Sequence, residues 1–132
     1  TSNTTSMLCN EDYLDALQWA EEIGGLPALI ARSEANLALI EAFVEKNDWI
    51  SFLAADPAIR SNTSVCLTVN LEPAEVKELV KLLAAEEAAF DIASYRDAPA
   101  GLRLWCGATV EAHDLSLALQ WLSWAYHQVS GK

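Results

Sequence analysis

The chain has 132 residues, of which 52% are hydrophobic and 20% charged, enough apolar content for one domain with a real core and too much for wholesale disorder. Eight Lys and Arg stand against 19 Asp and Glu, a net charge of −11. This argues against a general nucleic-acid binder and against an anionic membrane surface, both of which call for a basic face. No apolar run reaches the ~18 residues of a membrane-spanning helix, and no basic start followed by an apolar stretch marks a signal peptide.

Residues 1–6 are small and polar and read as a loop. Asn10 is placed to cap a helix, with Glu11 and Asp12 acidic in its first turn. Tyr13, Leu14, Leu17, Ala20 and Ile23 give it an apolar stripe, and Gly24-Gly25 ends it. Pro27 suits the first turn of a second, long helix with the stripe Leu29, Ile30, Leu37, Ile40, Phe43 and Val44. Residues 49–53 read as a short strand, Asp56-Pro57 as a turn, and 64–69, rich in β-branched residues, as a second strand. Pro73 opens a third helix striped by Val76, Leu79, Val80 and Leu83. Residues 90–93 are a weak strand and 97–101 a tight loop. In the strand 102–106, Leu102, Leu104 and Cys106 face one way and Arg103 and Trp105 the other. A last helix runs from about Ala112 to Gln128, with Leu115, Ala118, Leu119, Leu122 and Tyr126 inward. The order of elements predicts an α+β sandwich: a small, mostly antiparallel sheet with helices packed mainly on one face.

Little in this pattern is catalytic. Cys9, Cys66 and Cys106 form neither a CxxC pair nor a zinc spacing, and point to buried or free thiols in a reducing compartment. His113 and His127 read as surface residues at helix ends, with no metal-ligand spacing. Lys77 and Lys81 lie four apart beside glutamates on a solvent-facing stripe, Lys46 ends a helix, and Lys132 is terminal. None has the desolvated setting that makes an amine a Schiff-base nucleophile. The triplets Asn3-Thr4-Thr5 and Asn62-Thr63-Ser64 lack the secretory context of a glycan site. The feature that stands out is Tyr95-Arg96 and Arg103 flanking a compact Pro/Gly loop. Guanidinium forks bind carboxylate and phosphate bidentately, and two of them across a turn suit two anionic groups of one small molecule. The other reading of the same pattern is ordinary loop and strand arginines paired with local acids such as Asp97.

Several separated segments resemble, in order, the C-terminal part of phosphoserine aminotransferases, the pyridoxal-phosphate enzymes of class V and fold type I. They are residues 2–8, the helix from Glu11 to Gly25 with its Gly-Gly stop, Arg60-Ser61-Asn62-Thr63-Ser64-Val65, Tyr95-Arg96 with Gly101-Leu102-Arg103, and Ala108-Thr109-Val110-Glu111 leading into the last helix. The resemblance implies that Asn3-Thr4 reaches across a homodimer interface to bind the cofactor phosphate in the partner subunit. Thr5 follows where the family usually has Pro. It implies that Arg96 holds the substrate's phosphate, with Tyr95 where many members have His, and that Arg103 grips the α-carboxylate.

On this resemblance, residues 1–10 are an interface loop leading in from a large domain and 11–132 the small C-terminal domain. The Schiff-base lysine is expected upstream, in keeping with a first residue that is Thr and a sole methionine at Met7. The implied reaction is reversible amino transfer between O-phosphoserine and 2-oxoglutarate in serine biosynthesis, in a cytoplasmic homodimer using pyridoxal 5'-phosphate. A role in pyridoxine synthesis is implied for bacterial members. The small-molecule substrates are phosphoserine, glutamate and the matching keto acids, with no nucleic-acid or membrane partner. A different class V transaminase is one alternative. A non-catalytic α+β module that binds small anions or a protein is the other.

Overall fold

Period-two alternation sets the sheet. In β2 (Ser64–Val69), Val65, Leu67 and Val69 are buried, and Ser64, Cys66 and Thr68 point to the opposite side. β1 (Ile50–Phe52) pairs antiparallel along one edge of β2 and β3 (Gly101–Trp105) along the other, in the order β1-β2-β3. The registers Ile50↔Val69, Phe52↔Leu67, Val65↔Leu104 and Leu67↔Leu102 gather the apolar side chains on one face. The other face carries Ser51, Ser64, Cys66, Thr68, Arg103 and Trp105. The structure is a computed structural model and describes residues 6–131.

Helices close over the apolar face. α3 (Pro73–Ala85) starts at Pro73 behind a capping box, in which the Glu72 side chain accepts from the backbone three residues on and Glu75 accepts from the Glu72 N–H. It buries Val76, Leu79 and Leu83. α4 (Ala112–Ser130) buries Leu115, Leu119, Leu122, Ala125 and Tyr126. α2 (Gly25–Lys46) adds Ile40, and these side chains form one cluster with those of the three strands. Trp49 stacks on Tyr126 at 4.0 Å between ring centroids, tying the entry to β1 to the end of α4. The fold is therefore the expected α+β domain, built on a three-stranded antiparallel sheet. Among the described residues no helix is long and apolar enough to cross a membrane.

Three local expectations are corrected. Residues 90–93 do not form a strand: only Ala93 pairs, in an isolated bridge to Leu102. Asp91 takes φ 53°, which breaks the extended backbone that a ladder requires. The first helix, α1 (Met7–Glu22), starts a turn earlier than an Asn10 cap would place it, because the Ser6 hydroxyl accepts from the Cys9 N–H at 3.5 Å. Its stripe is not a core face either. Tyr13, Leu14 and Leu17 are exposed, and only Trp19, Ala20 and Ile23 are half-covered. α1 packs chiefly on α2, joined through Gly24 and Gly25, both at positive φ, where a side chain would be strained.

Candidate functional site

Arg103 enters the site from β3, and Gly101 sets the strand's approach. A Cβ at Gly101 would run into the Leu67 carbonyl, so only glycine lets β3 close on β2 with Thr68 opposite Gly101 and Cys66 opposite Arg103. Arg103 lies on the sheet face opposite Leu102, as its alternation predicts, yet its side chain is only 20% exposed. The guanidinium lies 5.0 Å from the centroid of the Tyr95 ring, a cation–π contact that holds its plane. Its Nη2 donates to Asp91 Oδ2 at 3.1 Å and to the Asp91 carbonyl at 3.4 Å. Its Nε is out of solvent and has no partner among the described residues. A buried N–H left unmade costs about 1–3 kcal/mol, so this donor is a standing demand for an acceptor.

The segment that bears Asp91 is fixed to the free edge of β3. The Arg103 N–H donates to the Ile92 carbonyl at 2.8 Å and the Ser94 N–H to the Gly101 carbonyl at 3.2 Å, while the Ile92 side chain is buried. Arg103, Asp91 and Asp114 border a cleft of about 340 Å³ whose floor is Leu83, Leu104, Leu119 and Leu122. Behind it, α2 clamps the β3–α4 connection. The buried Asn36 Nδ2 donates to the carbonyls of Cys106, Gly107 and Val110 at 3.1, 3.3 and 3.0 Å. Arg32 Nε donates to the Ala108 carbonyl at 2.7 Å, and Arg32 Nη2 pairs with Glu111 at 2.6 Å.

Arg96 stands elsewhere. It is exposed, has no hydrogen-bond or ion-pair partner among the described residues, and lines a separate groove of about 560 Å³ between α3 and the 93–101 loop. Lys77, Lys81 and Arg96 all border that groove, and among the described residues no Asp or Glu does. In a chain with 19 acidic residues, this is a local concentration of positive charge. The two arginines thus line different concavities, and Tyr95 contributes its ring to Arg103 while also bordering the Arg96 groove. Asn3 and Thr4 lie outside the described residues.

Asp91 and Asn36 were not singled out by sequence reasoning. Asp91 falls in a segment read as a weak strand, and nothing local announces a partner twelve residues on. Asn36 did leave a signal: Ser33, Asn36 and Ile40 fall on one helical face, and a polar side chain at a core position implies a buried hydrogen-bonding task. The local-acid reading of Arg103 has its counterpart in Asp91, while Asp97 makes no ion pair to it.

A three-stranded sheet that presents an arginine over an aromatic ring from its edge strand, with a second arginine in a groove bordered by lysines, defines an α+β domain with two separate arginine-lined concavities. No family model matches the chain. The chain is similar over 98% of its length to phosphoserine aminotransferases: 58% identical over 129 residues to that of Methanosarcina barkeri (strain Fusaro) and 57% identical over 129 residues to that of Methanosarcina mazei (strain Goe1). It spans only 35% of the length of either relative.

Proposed function

We propose that this chain is the C-terminal small domain of a pyridoxal-phosphate-dependent phosphoserine aminotransferase, with residues 11–132 as the domain and 1–10 as a loop into a homodimer interface. The intact cytoplasmic enzyme exchanges an amino group between O-phosphoserine and 2-oxoglutarate in serine biosynthesis. The observation that carries this reading is identity of 57–58% to enzymes of that name along nearly the whole chain. Arg103 takes the α-carboxylate common to every substrate, in keeping with its stacked guanidinium and unpartnered Nε. Arg96 takes the phosphate, in keeping with a groove bordered by three cations and no acid. Tyr95 donates a hydrogen bond there and supplies the ring that orients Arg103.

Pyridoxal phosphate, once bound, supplies the electron sink for amino transfer. The described residues do not fit a seat for it. Lys46, Lys77 and Lys81 are all exposed, with nothing to desolvate an amine. The proposed phosphate ligands, Asn3 and Thr4, lie outside the described residues, and the remaining cofactor contacts belong to the rest of the protein. This chain's part is to bind and orient substrate anions.

The test is amino transfer by the full gene product, measured with phosphoserine and with glutamate. Truncating one partner of a desolvated charge pair costs about 2–5 kcal/mol. Arg103→Ala should therefore lower kcat/KM by roughly 30-fold or more for both substrates, at about 1.4 kcal/mol per decade. Arg96→Ala should hurt phosphoserine far more than glutamate. Arg→Lys should rescue neither fully, because an ammonium does not copy the planar fork. Equal, small losses in both alanine variants would refute the assignment.

A further inference from the structure

We propose that Asp91 is a specificity-determining residue that occupies Arg103 as an internal carboxylate and must be displaced by the substrate's own. The inference rests on the reading of Arg103 as a carboxylate grip. Four observations carry it. The Asp91 carboxylate sits on Nη2 at 3.1 Å, the position one oxygen of a bidentate ligand takes. The contact uses only one edge of the fork, since Nε beside it is buried and unpartnered. The Asp91 side chain is 91% exposed, so it leaves by rotating into water with nothing to repack. Its backbone stays behind, because Ile92 and Ser94 on its C-terminal side are bonded to β3 and the Ile92 side chain is buried.

The arrangement works as a selectivity filter. While Asp91 is in place, Tyr95 and the carboxylate together hold the guanidinium in its binding orientation. A ligand that offers one acceptor merely exchanges one contact for another. A planar carboxylate that engages Nη2 and Nε together replaces the contact and satisfies the orphaned donor as well, so bidentate carboxylates win and monodentate anions do not. The backbone of Asp91 also fits an acid at this place: at φ 53°, Asp, Asn and Gly are the residues best tolerated.

The experiment follows the Arg103 Nε–Hε resonance of the chain by NMR while glutarate, a plain dicarboxylate, or chloride is added. Asp91→Asn and Asp91→Gly keep the positive-φ backbone, and Asp114→Asn removes an equal charge from the same cleft without touching Arg103. Exposed ion pairs are weak, so glutarate affinity should rise only about two- to five-fold in Asp91→Gly, with a smaller gain in Asp91→Asn. Asp114→Asn should stay near the parent, and the preference for glutarate over chloride should shrink in Asp91→Gly. If glutarate moves the parent resonance but the Asp91 variants bind no tighter, or less tightly, the displacement idea fails and the carboxylate grip stands. An equal gain in Asp114→Asn would reduce the effect to net charge and overturn it as well. If glutarate moves the resonance in none of the proteins, the grip itself is wrong and the proposal falls with it.

Discussion

Asn36 shows how much one buried amide can hold. Its Nδ2 is the shared donor for three carbonyls in the connection from β3 to α4. Asn36→Leu keeps the branched outline of the side chain and strands those acceptors, so it should cost about 1–3 kcal/mol, read as a lower urea midpoint at unchanged m-value. A neutral result would mean that packing, not hydrogen bonding, is what the site needs. Cys106 makes a prediction in pH. Burial pushes its thiol up to about 11. The ordinary value is 9.0, so the folded chain holds the proton more tightly between the two values. That contribution to stability is complete below 9.0 and is lost as pH rises through about 11. Stability of the parent should fall across this window. Cys106→Ala, less stable at neutral pH for want of packing, should show a shallower fall.

At the scale of elements, α1 is the exception. Leu14 is 56% exposed and Leu79 fully buried, although each sits in an apolar stripe of helical period. Leu14→Glu should therefore change the unfolding free energy by less than about 0.5 kcal/mol, and Leu79→Ala should lower it by about 2–5 kcal/mol. Denaturant titration of both variants checks the pair, and a large loss from Leu14→Glu would show that α1 is more deeply held than its contacts with α2 indicate. The same contrast explains why the stripe of α3 was legible as core and that of α1 misled. Periodicity reports that a helix has an apolar side, but not what covers it.

At the scale of the whole molecule, the lysines decide what the chain does by itself. With Lys46, Lys77 and Lys81 all in water, incubation with pyridoxal phosphate and borohydride should leave scattered, substoichiometric adducts, mapped by peptide mass. A single stoichiometric adduct would place Schiff-base chemistry within these residues and contradict the proposed division of labour. The charge distribution belongs to this scale too. Against a net charge of −11, the groove bordered by Lys77, Lys81 and Arg96 is a place where an anion meets local positive charge rather than the general repulsion.

The α+β class, both ends of β2, the Pro73 start of α3, the inward faces of α3 and α4, and the side of β3 on which Arg103 lies are legible in the residues. All of these rest on local rules, period 2 or 3.6, proline at a helix start and glycine at a turn, which act within a few residues and so are written there. Tertiary structure alone decided that Arg103 meets Asp91 rather than Asp97, that Arg96 opens on a different groove, and that Asn36 holds the end of β3 to α2. Those choices depend on which long-range pairs the packed strands and helices bring within hydrogen-bond reach. A side chain's partner twelve or seventy residues away is fixed by the sum of the packing, not by the residues beside it.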